Sequence, residues 1–127
     1  MKIDNSKQFY HRLLIQPDPI IGYRFIPNIY SRINRDDNTF VIQTNEQGFR
    51  NNFSFDTIND GKLNVLALGD SYLAGDGISN NERFMDIISE RFDINVLNTG
   101  LPGSGNDQQL LIQEEIATLW NYDILVI

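Results

Sequence analysis

Two textures follow one another along the chain. Over residues 1–61, apolar positions come singly or in short runs among Asn, Asp and other polar residues; from Lys62 onward, short apolar runs alternate with stretches of helical spacing. In the first part, Phe9, Tyr10 and Leu13 fall on one face of a helix spanning residues 6–15, and Gln16-Pro17-Asp18-Pro19 ends it. Two β-prone runs follow, residues 21–33 and 39–44. Asn34-Arg35-Asp36-Asp37-Asn38 between them is rich in turn formers and predicts a hairpin with a loop of about five residues. Asp60-Gly61 is a turn that introduces the next unit.

The second part reads strand–helix–strand–helix–strand. Residues 63–68 form the first strand. Ser79-Asn80-Asn81-Glu82 has the form of a capping box, and Phe84, Ile87, Ile88 and Phe92 then supply the apolar face of a helix. Residues 94–98 form the second strand. Ser104 or Asn106 caps a helix whose apolar stripe is Ile112, Ile116, Leu119 and Trp120. Residues 122–127 form the third strand, apolar nearly throughout and therefore expected to be covered on both faces. Right-handed crossovers put the three strands in one parallel sheet, and the first is expected to lie in the centre. The expected fold class is α/β: a partial three-layer α/β/α sandwich with a parallel flavodoxin-like sheet, preceded by a small β-rich segment. The expected division is residues 1–61 for the β-rich segment and 62–127 for the N-terminal part of the α/β domain. Ending at Ile127 leaves that sheet with a bare apolar edge, which natural domains avoid. The expectation is that further elements follow, and that the isolated chain self-associates through the third strand.

Composition narrows the partners. The 127 residues carry a net charge of −7 with ten Lys and Arg scattered along the chain. That balance argues against nucleic acid or an anionic membrane as partner. There is no cysteine, which excludes disulfides and thiolate metal sites. No apolar run approaches the roughly 18 residues needed to span a bilayer, and Leu13-Leu14-Ile15 is too short for a signal peptide core. A cytoplasmic location is the default expectation.

The candidate chemistry sits where the first strand ends, in Leu68-Gly69-Asp70-Ser71. Ligands of open parallel sheets bind beyond the carboxyl ends of the strands, and a serine delivered there stands where an acyl-transfer nucleophile belongs. Gly100 leaves the neighbouring strand, about 4.8 Å away, so the Ser71 and Gly100 N–H groups are expected to converge on one oxygen. Leu73 stands where the second glycine of a Gly-x-Ser-x-Gly elbow belongs, which argues against a lipase-like arrangement. Asp70 reads as a residue that hydrogen-bonds the surrounding loop.

The pair Gly69-Asp70-Ser71 and Asn98-Thr99-Gly100, 29 residues apart and each following a strand, resembles the SGNH (GDSL-type) hydrolase superfamily. The likeness covers about half of the chain, from Lys62 onward. It extends to a bacterial subgroup in which a small β-rich segment, here Gly22-Tyr23-Arg24-Phe25-Ile26-Pro27-Asn28 and Thr44-Asn45-Glu46-Gln47-Gly48-Phe49-Arg50, precedes the domain. The resemblance implies a serine esterase or acyltransferase acting on O-acyl esters, with a small-molecule or carbohydrate ester as substrate and no cofactor. Ser71 would be the nucleophile, and the Ser71 and Gly100 amides would hold the oxyanion with a later asparagine. A serine hydroxyl needs a base, which the resemblance places in a later Asp-x-x-His. This sequence has no such motif, and its one histidine, His11, lies in the N-terminal region. The chain by itself is therefore expected to be inactive. The alternative is a non-catalytic flavodoxin-like module that binds a ligand or partner at the same crevice.

Other motifs fail on chemistry. Asp70 to Asn81 is spaced like a calcium loop, but Tyr72 and Ala74 stand at ligand positions. Gly100-Leu101-Pro102-Gly103-Ser104-Gly105 lacks the lysine of a phosphate loop. Asn52-Phe53-Ser54 fits a glycosylation acceptor by chance. Gln108 offers a substrate contact, and Arg24 and Arg50 read as surface or structural residues rather than carbohydrate ligands.

Overall fold

The computed structural model describes residues 14–35, 37–54 and 60–127. It is a mixed α/β structure in which two antiparallel hairpins precede a three-stranded parallel sheet. The helix expected over residues 6–15 lies outside the described residues except at its end, where Ile15 already belongs to a strand.

The first hairpin joins β1 (Ile15–Asp18) to β2 (Gly22–Phe25), pairing Pro17 with Tyr23. Gln16-Pro17-Asp18 thus continues as a strand instead of breaking the chain. Proline lacks only a donor, and β1 is an edge with a single neighbour, where that donor is dispensable. The turn is closed by Asp18, whose Oδ1 accepts from the N–H groups of Ile20 and Ile21, both at 2.9 Å. The second hairpin joins β3 (Tyr30–Arg35) to β4 (Asn38–Gln43). Pairing continues to Arg35 opposite Asn38, so the connection is tighter than the expected five residues.

The parallel sheet comprises β5 (Asn64–Ala67), β6 (Asn95–Asn98) and β7 (Ile124–Val126), in the order β6-β5-β7. The first strand is central, as expected. After β5 comes a one-turn helix, α1 (Ser71–Ala74), followed by α2 (Phe84–Phe92) and, after β6, α3 (Asn106–Leu119). Alternation along the strands sorts the core into two clusters. Val65, Ala67 and Val96 pack with Leu73 and Met85. Leu66, Leu68 and Leu97 pack with Ile112, Ile116 and Trp120, and this second cluster also takes in Phe25, Phe40, Ile42 and Phe49 from the hairpin segment. The two parts of the chain therefore share one core.

Four local expectations are corrected. The Ser79 hydroxyl accepts from Val41 N–H of β4 at 3.1 Å. Only the other half of the capping box forms, with Ser79 N–H donating to Glu82 at 2.8 Å. Asn81 then adopts φ +77°, a left-handed conformation that delays the helix to Phe84. The buried face of α2 is Met85 with Ile88, while Phe84, Ile87 and Phe92 are exposed. In α3 the capping residue is Gly105 rather than Ser104 or Asn106, and its N–H donates to the Gln108 side chain at 3.0 Å. Ile112, Ile116 and Trp120 of the expected stripe are buried, but Leu119 is exposed.

The third strand is not covered. Ile124, Leu125 and Val126 are 43%, 39% and 40% exposed. Among the described residues no strand pairs with the outer edge of β7. Among them, too, no helix is long and apolar enough to cross a membrane.

Candidate functional site

Ser71 is the first residue of α1, at the carboxyl end of the central strand. Its helix begins there because Asp70 caps it: the Asp70 carboxylate accepts from Tyr72 N–H at 3.0 Å. This is the loop-bonding role expected of Asp70. The helix ends after one turn because Gly75 turns left-handed at φ +74°. A side chain there would be strained by its backbone, and its Cβ would stand 2.5 Å from Arg83 Cγ. Ser71 is half-buried and lines an open groove of about 340 Å³ with Tyr72, Gly75, Asp76 and Ile78. As the first residue of a helix, Ser71 has an N–H with no partner within that helix. Across the groove, Arg35 of β3 pairs with Asp76 at 3.3 Å, and burial pushes the Asp76 carboxyl above its ordinary value.

The strand β6 ends beside this helix, and the two turns are joined by hydrogen bonds. Leu101 N–H and Ser104 Oγ both donate to Gly69 O at 3.1 Å. Asn98 Nδ2 donates to Leu73 O at 2.9 Å. The topology thus brings Ser71 and the segment from Asn98 to Ser104 together.

Gly100 sits in that segment but not as a free donor. It is buried, and its N–H donates to Asn98 Oδ1 at 2.9 Å. A Cβ here would lie 2.3 Å from Ala74 N and 2.7 Å from Leu73 C. Glycine is required because β6 and α1 approach backbone to backbone. The expected convergence of two unoccupied amides departs from this geometry, because the Gly100 amide is already spent inside the turn. The exposed glycine of the same turn is Gly103, at φ +77°. Its neighbour Pro102 is held by Tyr23 of β2, whose hydroxyl donates to Pro102 O at 2.6 Å.

Sequence reasoning gave little weight to the residues that hold these turns. Arg50 is 2% exposed. Its Nη1 donates to Ala74 O at 2.6 Å and Gly75 O at 2.8 Å, and its Nη2 to Ile78 O at 2.8 Å and Asn80 Oδ1 at 3.0 Å. It is structural, as expected, but interior rather than on the surface. Burial, and then the neighbouring Arg83, push its guanidinium down to about 9, with Asp86 acting the other way. Arg83 is itself 1% exposed and bonds Asp86 through Nε at 2.6 Å and Arg50 O through Nη2 at 2.6 Å. Asn51 behaves like an added strand residue. Its Nδ2 donates to Asn98 O at 2.7 Å, and its Oδ1 accepts from Asn98 N–H at 3.1 Å. The only available signal was an Arg-Asn pair after Gly48-Phe49 in a polar segment, which names no partner.

Arg24 and Gln108 prove structural as well. Arg24 bonds Asp18 at 2.6 Å and makes a bidentate pair with Glu115 of α3 at 3.1 and 2.8 Å. Gln108 donates to Ile21 O at 2.7 Å while accepting from Gly105 N–H, so both ends of the amide serve the fold. A larger cleft of about 470 Å³, lined by Asn51, Asn52, Phe53, Asp86 and Ser89 among others, contains one hydroxyl, Ser89, which is committed to Ile94 O at 2.6 Å. Among the described residues no group of three or more metal-binding side chains is assembled.

Comparison with models of known protein families finds no match, and no curated protein matches the chain. The functional reading therefore rests on the residues and their arrangement.

Proposed function

We propose that this chain carries the nucleophile-bearing part of a serine esterase or acyltransferase of the SGNH type, acting on O-acyl esters. The observation that carries the reading is the position of Ser71, half-buried in an open groove at the carboxyl end of the central parallel strand and at the first turn of a helix. The partition of the core into two clusters, one on each side of β5, supports reading the sheet as part of a three-layer α/β/α sandwich. On this reading Ser71 Oγ attacks the ester carbonyl carbon and passes its proton to a base. The alcohol then leaves with a proton returned by that base, and the acyl group stays on the serine. Water or a second alcohol takes it off.

The Ser71 amide supplies one donor to the developing oxyanion. The Gly100 N–H is held by Asn98 and is not a free second donor. Removing one such donor costs about 10²–10³ in turnover. The base is the histidine of an Asp-x-x-His that this sequence does not contain.

The reading is tested with a fluorophosphonate on the full chain, with and without added imidazole as a diffusible base. Covalent labelling that rises with imidazole and is abolished in Ser71→Ala supports it. Labelling at the same rate in Ser71→Ala removes Ser71 from the chemistry. The alternative, a non-catalytic binding module, draws its support from the occupied Gly100 amide and is favoured if no imidazole-dependent labelling occurs.

A further inference from the structure

Among the groups from the hairpin segment that reach the turns around Ser71 are Tyr23 on Pro102 O, Asn51 on Asn98, Arg35 on Asp76, and Arg50 on the end of α1. Of these, Arg50 has the least ordinary surroundings. A buried guanidinium is normally paired with a carboxylate. Here Arg50 donates instead to backbone carbonyls of Ala74, Gly75 and Ile78 and to the Asn80 side chain, while the carboxylate of Asp86 is bonded to Arg83. Asn80 in turn donates to Gln43 O of β4 at 2.8 Å, and its Oδ1 accepts from Gln43 N–H at 3.2 Å. The planar fork of arginine spreads five donors over three nitrogens and so reaches carbonyls that the three donors of a lysine ammonium, all on one atom, cannot reach together.

Two of the carbonyls it collects, Ala74 O and Gly75 O, lie at the C-terminal end of the one-turn helix, where carbonyls are left without a partner inside the helix; Ile78 O belongs to the loop beyond it. A helix of four residues has almost no rigidity of its own, so what anchors its last carbonyls sets the direction of its first residue, Ser71. We propose that Arg50 is a positioning residue for the nucleophile: by clamping the C-terminal carbonyls of α1 it fixes Ser71 and its amide in the groove, and the hairpin segment is thereby a working part of the site. This rests on the reading of Ser71 as a nucleophile.

The chain contains no cysteine, so Ser71→Cys places a single thiol at the site, one that needs no external base to react. Two rates are measured on it: acylation by p-nitrophenyl acetate, in which the thiolate attacks the carbonyl carbon and p-nitrophenolate leaves, and alkylation by iodoacetamide, in which iodide leaves. Both depend on the thiolate fraction and on exposure. Only acylation passes through an oxyanion, so the ratio of the two isolates positioning. Tyr30→Cys, at a residue 74% exposed on β3, supplies the reference ratio.

The expected ratio for Cys at position 71 is about tenfold above the reference, a conservative fraction of a full oxyanion donor. Adding Arg50→Met should return it to the reference, and Arg50→Lys, which keeps the charge but loses the fork, should leave it about threefold below the parent. Folding of each variant is checked by circular dichroism. A parent ratio equal to the reference overturns the esterase reading itself. A raised parent ratio that is unchanged in folded Arg50→Lys or Arg50→Met overturns the role of Arg50 and leaves that reading standing.

Discussion

Around Leu66 and Leu97 the sheet is held by apolar contact: both are fully buried, and they meet Ile112 and Ile116 of α3. Around Arg50 and Asn51, some of the same strands and turns are held by hydrogen bonds from side chains buried at 2% and 3% exposure. The first arrangement is non-directional and tolerates small shifts. The second fixes direction, since each donor must meet its acceptor within a few tenths of an ångström and a broken pair leaves a buried polar group unsatisfied. The comparison separates two tasks. Apolar packing supplies the stability of the sheet, and the polar contacts from the hairpin segment fix where its loops point. A nucleophile and its oxyanion donors depend on the second.

The sharpest way to expose that division is to weaken each side once. Leu97→Ala should lower stability by about 2–5 kcal/mol, from lost burial and the cavity left behind, measured by urea denaturation. Amide exchange should accelerate throughout the sheet. Asn51→Ala should cost less, about 1–3 kcal/mol, because the Asn98 N–H and C=O lose their partners. Here the accelerated exchange should be confined to residues 98–101 and α1. If Asn51→Ala loosens the entire sheet while Leu97→Ala acts locally, the assignment of tasks is reversed.

The apolar side was largely legible from the chain. The apolar runs at residues 63–68 and 94–98 and the spacing of Ile112 and Ile116 are local patterns, and they placed those strands and the inner face of α3. The face of α2 was misread by one residue because Phe84, Ile87 and Phe92 are as apolar as Met85 and Ile88, and only packing distinguishes them. The polar side left almost no local trace. Arg50 meets Ala74 across 24 residues and Asn51 meets Asn98 across 47, and nothing in Arg-Asn states which carbonyls it will reach. Ser79 shows the same limit from the other direction: its capping pattern was real, but β4 offered the hydroxyl a competing donor. Gly100 was legible as the turn after the second strand, but the fate of its amide was set by a side chain two residues away.

A smaller effect tests the polar contacts that hold the first hairpin itself, away from the site. Asp18 lies at the end of β1, with Oδ1 accepting from Ile20 and Ile21 N–H and Oδ2 from Arg24 Nε. Burial pushes its carboxyl up, but the hydrogen bonds from Ile21, Arg24 and Ile20 outweigh burial and hold it below the ordinary value. A carboxyl whose folded pKa lies below its unfolded value of about 3.9 contributes stability that is complete above that value. The contribution is lost as pH falls through the folded pKa. Asp18→Asn retains an acceptor for the turn but cannot titrate. It should cost about 1 kcal/mol or less at pH 7, since Arg24 keeps Glu115 and Gln47 O. Between about pH 4 and pH 2 its stability should fall less steeply than that of the parent. Urea midpoints measured at pH 7, 4, 3 and 2 decide the matter: parallel curves for parent and variant would mean that the charge on Asp18 adds nothing to the folded state.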